Sequence, residues 1–339
     1  VDHPYDKASV EFIINAPSHY DVVATGAKVE ESFMSLDVKR THYYEPSPVA
    51  MKVMTIGVTR FASKLLGNTY GVPVSAWVYP QNREDGFYDY AMAVPVMNYF
   101  IENIGPYPFA KLANMQAKTQ WGGLENAGTI AYNENSVDGK RSSTGLIAHE
   151  IAHQWFGNSA SEADWNHVWL SEGFATYFAI LFLEHLEGEE RRQRESAIDR
   201  NEIISYYEKN PSPIVDPSIK DPMKVLNTNS YQKGGWVLHM LRHQLGDEMF
   251  WQAIRRYYQK FQHGNALTAD LRSVFEEVSG KDFEAYFNQW VFTEGFPVLD
   301  IEIKEKGNDT VLSVTQTQSP LFSFPLEVGI KSADGKVEI

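Results

Sequence analysis

The chain contains no cysteine among its 339 residues. Disulfide bonds are therefore excluded, and any metal site must use nitrogen and oxygen ligands from His, Asp and Glu. The absence does not define a cellular compartment, because many exported proteins also lack disulfides. Localisation therefore stays open.

Positive charge is also scarce in this sequence. Thirty Lys and Arg residues stand against 44 Asp and Glu residues, which gives a formal net charge of −14. A nucleic-acid-binding face needs clustered Lys and Arg side chains, and the sequence contains no such cluster. The composition therefore predicts a soluble protein with a solvated acidic surface and no nucleic-acid partner.

Long apolar runs are missing too. The longest, FATYFAILFL at 174–183, has about half the length that a membrane-spanning helix requires. It predicts a buried core helix and no transmembrane segment in this stretch of chain. No signal peptide is visible, and the sequence begins VDHPYDKA without an initiator Met. We therefore expect a fragment or a processed product, whose targeting signals cannot be judged.

The patterning changes along the chain. Residues 1–69 form short alternating runs broken by Pro, Gly and Asn, which are typical of strands. Strands and helices mix from residue 70, where YDYAMAVPVMNYFIENIG at 88–105 predicts one helix despite Pro95. Helical periodicity dominates from about 143 to 293, and alternation returns at 296. This order predicts a central domain containing helices and strands, flanked by two incomplete β domains.

The stretch AHEIAHQWFGN, residues 148–158, has two histidines four residues apart. On a helix, His149 and His153 lie on one face and can bind the same ion, while the adjacent Glu150 can hold a water molecule beside it. The alternative is a helix with two ordinary histidines. The pattern alone leaves both interpretations open.

A metal site of this kind needs a third protein ligand. Glu172 lies in the first turns of a second predicted helix, WNHVWLSEGFATYFAILFLEHLEG, which can pack against the first. A glutamate in a first turn more commonly stabilises the positive end of the helix dipole. A second pair, His239 and His243, is also spaced by four, but no Glu follows the first histidine, and we interpret that pair as structural.

Together, His149, Glu150, His153 and Glu172 resemble the gluzincin aminopeptidase family, which includes aminopeptidase N and leukotriene-A hydrolase. HEIAHQWFGN and WLSEGFATYF are similar to the two metal-binding helices of that family, and the resemblance extends from DHPYDKA to GFPVL at 296–299. It implies one zinc ion bound by the two histidines and Glu172, with Glu150 as the general base.

The resemblance also implies an α+β fold. A thermolysin-like catalytic domain, with a mixed sheet and a helical lobe, is expected at residues 70–295. Residues 1–69 resemble the later part of an N-terminal β domain, and residues 296–339 resemble the start of a C-terminal β-sandwich. Missing strands would leave open sheet edges in residues 1–69.

Upstream of the first helix lies WGGLENAG, residues 121–128. Gly122 and Gly123 permit close approach of another chain, and Glu125 is either a carboxylate facing that path or a surface residue in a plain turn. GGLEN is similar to the family's Gly-x-Met-Glu-Asn motif. This implies that Glu125 binds the free α-amino group of a peptide substrate and that the glycine backbone holds the peptide extended. Leu124 replaces the usual Met, a mild change that can alter the preference for the first side chain.

Downstream, Tyr231 lies in NSYQKGG, at the expected start of a helix. An isolated tyrosine is more often a core or interface residue, but the family has a Tyr in this setting whose hydroxyl stabilises the tetrahedral intermediate. The resemblance thus implies a zinc aminopeptidase acting on peptides with a free N-terminus. The alternatives are a thermolysin-type zinc endopeptidase and a catalytically silent peptide-binding module.

Overall fold

The computed structural model describes residues 3–307, 309–331 and 337–338. Its strands are β1 Lys7–Pro17, β2 Asp21–Ala24, β3 Ala27–Phe33, β4 Val38–Ala50, β5 Ile56–Thr59, β6 Ala62–Thr69, β7 Val72–Val78, β8 Leu112–Ala117, β9 Gly123–Leu124, β10 Thr129–Asn133, β11 Ser161–Glu162, β12 Asn265–Ala266, β13 Leu299–Lys306, β14 Asp309–Gln316, β15 Ile330–Lys331 and β16 Val337–Glu338. Its α-helices are α1 Arg83–Tyr90, α2 Ala93–Asn103, α3 Thr144–Ala152, α4 Trp169–Glu187, α5 Glu189–Tyr207, α6 Gly234–Leu245, α7 Asp247–Phe261, α8 Thr268–Ser279 and α9 Glu284–Trp290.

The first five strands form two antiparallel sheets, one in the order β1-β4-β3 and the other joining β2 to β5. Side chains in β4 alternate, so that Thr41, Tyr43 and Glu45 are buried while Tyr44 is exposed. The Tyr43 hydroxyl donates to the Val22 carbonyl at 2.9 Å and thereby joins the two sheets. The strands predicted for the N-terminal region are therefore present.

A five-stranded mixed sheet in the order β6-β7-β8-β10-β9 follows. The three middle strands, β7, β8 and β10, run parallel, and β6 and β9 pair antiparallel at the two edges. With the helices that follow, this sheet confirms the predicted α+β class. The domain limits stay a prediction, and the β6–β7 hairpin crosses the expected limit at residue 70.

The helical lobe has an aromatic core at its centre. Phe156 contacts Phe174 with ring centroids 4.5 Å apart, and Phe178 lies 5.2 Å from the same ring. All three side chains are fully buried, and burying one such side chain is worth up to about 3 kcal/mol. The run at 174–183 therefore forms a buried core helix, as predicted. Its burial fixes the position of α4 and hence that of Glu172.

Residues 88–105, expected as one helix, form two. α1 ends at Tyr90, and α2 begins at Ala93 after a short turn. Pro95 lies in the first turn of α2, where a backbone N–H would have no partner within the helix. The proline is thus accommodated by a new helix start instead of interrupting a continuous helix.

The N-terminal strands attach to the lobe close to α3. The partly buried ammonium of Lys7, in β1, donates to the carbonyls of Ser159 and Gly264 at 2.7 and 2.6 Å. Thr129, in β10, donates from its hydroxyl to the Ala24 carbonyl at 2.9 Å. These contacts attach the β region to the segment that follows α3, to the residue before β12 and to the mixed sheet.

Candidate active site

Helix α3 positions the histidine pair. His149 lies in its last turn, and His153 is the residue that directly follows it, still in helical conformation. The two Nε2 atoms therefore approach to 3.1 Å, as expected for neighbours one helical turn apart. The helix ends at Ala152, and the helical conformation of His153 keeps the pair together.

Glu172 completes the group from the first turn of α4. Its Oε2 atom lies 3.4 Å from Nε2 of His149 and 3.2 Å from Nε2 of His153. The three ligand atoms lie within 4.8 Å of one another, and within the described ranges no other set of three or more His, Cys, Asp or Glu residues meets this criterion. Two separate helices thus direct three donor atoms at one point.

The surroundings of His153 suit a metal ligand. Its Nδ1 lies 3.2 Å from the Phe156 carbonyl and 3.0 Å from the Ser171 hydroxyl. A proton on Nδ1 can be donated to the carbonyl, which leaves the Nε2 lone pair facing Glu172. Such a partner on the second ring nitrogen is the usual arrangement for a histidine that binds zinc.

The charges of the group also fit a cation. Burial alone would raise the pKa of Glu172, but the two imidazoles hold it below its usual range. Burial lowers the pKa of His153, yet Glu172 outweighs burial and raises it to about 9. The buried Oε2 atom of Glu172 has no hydrogen-bond donor. A divalent cation replaces the proton that the group otherwise attracts, so the residues fit one zinc ion with one nitrogen pair and one carboxylate.

Glu150 lies beside this group and is 5% exposed. Burial raises its pKa well above the usual range, and the nearby carboxylate of Glu125 adds to this effect. Gly123 in β9 faces it so closely that a Cβ atom there would overlap the Glu150 carboxylate. A Cβ atom on Gly122 would meet only the Leu146 side chain, at 3.5 Å, which is an ordinary van der Waals distance. The glycine requirement predicted for this segment is therefore strict at Gly123 and weak at Gly122.

The GGLEN segment runs alongside the histidine stretch. The Glu125 carbonyl accepts hydrogen bonds from Gln154 Nε2 at 2.9 Å and from Asn158 Nδ2 at 2.6 Å. Leu124 pairs with Ala131 of β10, which makes β9 the edge strand of the mixed sheet. The Glu125 side chain lines the same cavity as the histidine pair. The cavity measures about 720 Å³.

Tyr231 lies in a π-helical turn, Asn229–Lys233, that directly precedes α6. Its ring is parallel to that of His149, with an interplanar angle of 7° and centroids 6.1 Å apart. Burial raises the pKa of its hydroxyl, and the Glu172 carboxylate raises it further, so the group remains a hydrogen-bond donor. π-helical turns are frequent at functional sites.

A close crossing of two helices brings Tyr231 to the site. A Cβ atom on Gly173 of α4 would lie 2.9 Å from the backbone of Gly234, the first residue of α6. Only glycine permits this approach, which holds the Tyr231 turn against Glu172. The sequence contains both glycines, but nothing in their local pattern indicates that they meet.

All nine residues selected from the sequence line this single cavity: Gly122, Gly123, Leu124, Glu125, His149, Glu150, His153, Glu172 and Tyr231.

The second histidine pair, His239 and His243, does not resemble the pair formed by His149 and His153. His239 contacts the Tyr177 hydroxyl at 3.0 Å, whereas His243 contacts Glu327 at 2.9 Å. Those two rings thus have separate structural partners.

Comparison with protein families gives a match to the peptidase family M1 domain over residues 88–290, more than half of the chain. The chain belongs to peptidase family M1. Members of this family are zinc enzymes, and the His149, His153 and Glu172 group can bind one such ion. The family assignment made from the sequence is therefore confirmed.

Several M1 relatives align over most of the chain. Aminopeptidase M1-D of Oryza sativa subsp. japonica is 29% identical over 98% of this chain and 40% of its own length. Glutamyl aminopeptidase of Sus scrofa is 27% identical over 89% of this chain and 34% of its own. Aminopeptidase 2, mitochondrial, of Saccharomyces cerevisiae is 26% identical over 81% and 30%. The chain thus spans 40% or less of the length of these relatives.

No helix in the described residues of this M1 chain is both long enough and apolar enough to cross a bilayer.

Three residues that support the site were not predicted from the sequence. Ser171 contacts His153, and Gln154 and Asn158 donate hydrogen bonds to the Glu125 carbonyl. Gln154 and Asn158 belong to the stretch quoted for the family resemblance, so their position was the available signal. The absence of a nucleic-acid partner stays a prediction.

Proposed function

We propose that this chain is the catalytic part of a zinc-dependent aminopeptidase that removes the first residue of a peptide. The observation that carries the proposal is that two further carboxylates, those of Glu150 and Glu125, line the same cavity as the candidate zinc ligands. Glu150 lies beside the candidate zinc ligands, and Glu125 lies further along the same cleft. The relatives that bear the name aminopeptidase support the same activity.

The direction of a bound peptide follows from the path of the GGLEN segment along α3. Gly122 faces Leu146, Gly123 faces Glu150, and the Glu125 backbone contacts Gln154 and Asn158. A peptide whose ammonium pairs with Glu125 therefore has its scissile bond near Gly123 and its leaving part beyond Leu146. The edge strand β9 offers backbone groups for pairing with an extended substrate.

His149, His153 and Glu172 would hold the zinc ion, which when bound would supply Lewis acidity toward the scissile carbonyl and lower the pKa of a water molecule. Glu150 takes the proton of the attacking water and delivers it to the departing amine. The buried position of Glu150 and its raised pKa suit a group that must accept and then release a proton. Gly123 leaves the space that this carboxylate occupies.

Tyr231 donates its hydroxyl hydrogen to the oxyanion of the tetrahedral intermediate. Its raised pKa keeps that hydrogen in place at neutral pH. A donor of this kind typically contributes about 2.7–4 kcal/mol to transition-state stabilisation. Glu125 binds the substrate ammonium, whose transfer from water would be costly without a charged partner. This pairing makes the enzyme an exopeptidase.

Hydrolysis of leucyl p-nitroanilide and of its N-acetylated form tests the proposal, in zinc-loaded protein with and without a chelator. We expect cleavage of the free amine only, loss of activity on chelation, and recovery on adding zinc. Equal cleavage of the free and acetylated substrates would instead identify an endopeptidase. Zinc binding without cleavage of either substrate would identify a silent peptide-binding module.

A further inference from the structure

One lysine side chain, that of Lys52, lines this cavity together with several acidic side chains. Lys52 belongs to a short 3₁₀-helical turn, Met51–Val53, that directly follows β4. Among the residues that the structure describes, it is the only Lys or Arg side chain lining the cavity, which also contains Glu125, Glu150 and Glu172. None of the motifs selected from the sequence includes it.

Lys52 is held in place by two side chains of the loop between α3 and α4. Its Nζ lies 2.6 Å from Oε1 of Glu162, and it lies over the Trp165 ring at 4.9 Å from the centroid. The Glu162 side chain is fully buried, and that of Lys52 is 12% exposed. Such an arrangement fixes the ammonium at the cavity surface.

The Lys52 ammonium is charged, and it has more hydrogen-bond donors than the described residues have acceptors for it. Burial lowers the pKa of Lys52, but Glu162 and Glu125 outweigh burial and raise it above its usual value. An ammonium has three donors, and the described part of the chain provides one acceptor, Oε1 of Glu162. Donors therefore remain for a ligand in the cavity.

The position of Lys52 relative to Glu125 determines which part of a substrate it meets. The carbonyl of Val53, the residue after Lys52, accepts a hydrogen bond from the N–H of Ala127, two residues after Glu125, at 2.8 Å. The charges of Lys52 and Glu125 also interact. In the proposed peptide direction, the leaving part extends past Leu146. The Lys52 end of the cavity is consequently the end that holds the first residue.

We propose that Lys52 selects substrates whose first side chain carries a hydrogen-bond acceptor, above all the carboxylate of Glu or Asp. This inference rests on the aminopeptidase function proposed above. The substrate ammonium neutralises Glu125, and the side-chain carboxylate takes the free donors of Lys52. A first Lys or Arg residue meets the same ammonium and is repelled. The Glu162 carboxylate competes for Lys52 and limits the preference.

The test compares substrates whose first residue is Glu with substrates whose first residue is Gln. The two side chains have nearly the same shape, but only Glu carries a carboxylate. The kcat/KM ratio of α-glutamyl to glutaminyl p-nitroanilide is measured in the wild type, in Glu162→Gln and in the double variant Lys52→Met with Glu162→Met. The double substitution replaces the buried pair by apolar side chains and so avoids an unpaired buried Glu162. Lys52→Arg keeps the charge and serves as the matched control.

We expect the ratio to fall about tenfold in the double variant, to rise in Glu162→Gln, and to stay close to the wild-type value in Lys52→Arg. An unchanged ratio in both Glu162→Gln and the double variant would overturn the role of Lys52. If the double variant does not fold, an unchanged ratio in Glu162→Gln alone overturns it. Failure of the wild type to cleave any free-amine substrate, including leucyl p-nitroanilide, would instead refute the aminopeptidase function itself.

Discussion

Substituting Gly123 by Ala should lower the catalytic rate through Glu150, the proposed general base. The added Cβ overlaps the Glu150 carboxylate, and normal van der Waals separation requires that carboxylate to retreat by about 1 Å. A displacement of this size typically lowers the rate about 100-fold, because proton transfer depends on position. The three atoms nearest to the new methyl group all belong to Glu150, so we expect zinc binding to persist.

The assay measures kcat, KM and zinc content for Gly123→Ala and for the neighbouring Gly122→Ala. At Gly122 the new Cβ meets Leu146 at an ordinary 3.5 Å, so this variant should retain activity within about threefold. A wild-type kcat in Gly123→Ala would refute the reasoning, as would an equal loss in both variants. Thermal unfolding of each variant separates a local effect from loss of the fold.

Three further variants test individual roles at the site. Glu150→Gln should lower kcat about 1,000-fold at unchanged zinc content, and activity close to wild type would exclude Glu150 as the base. Glu125→Gln should raise KM for free-amine substrates more than it lowers kcat, since it removes the charge that pairs with the ammonium; an unchanged KM would contradict that pairing. Ser171→Ala removes the hydroxyl 3.0 Å from Nδ1 of His153 and should weaken zinc affinity about tenfold in a competition titration with a chelator. Unaltered affinity would show that the Phe156 carbonyl alone orients that ring.

The candidate site could be predicted because its main residues come from short, continuous motifs. The spacing of His149 and His153 predicts a shared face, and the apolar run after Glu172 predicts the helix that carries it. In the structure, the four-residue spacing brings the Nε2 atoms of His149 and His153 to 3.1 Å from each other. Local patterns of this kind survive folding because one helix determines them.

Other features depend on contacts between distant parts of the chain. Lys52 and Glu162 are 110 positions apart, and neither residue belongs to a recognisable motif. Gly173 and Gly234 appear as isolated glycines in the sequence, and their close approach exists only once α4 and α6 cross. Pairings of this kind are set by tertiary packing, which single-sequence periodicity does not encode.

The sequence pattern predicts one helix across residues 88–105, whereas the structure has two, α1 and α2. Hydrophobic periodicity continues through this segment, so it favours one element. Pro95 does impose a break, but it can do so either by kinking a helix or by starting a new one. The buried side chains of α2, including Val96, Met97 and Phe100, favour the new start because they pack into the core.

The most direct test of the central claim is an anomalous difference map recorded at the zinc absorption edge from a crystal of the zinc-loaded protein. We expect a single strong peak at about 2.0–2.2 Å from Nε2 of His149, Nε2 of His153 and a carboxylate oxygen of Glu172. A map with no peak at this position, or with a zinc ion that Glu172 does not contact, would contradict it.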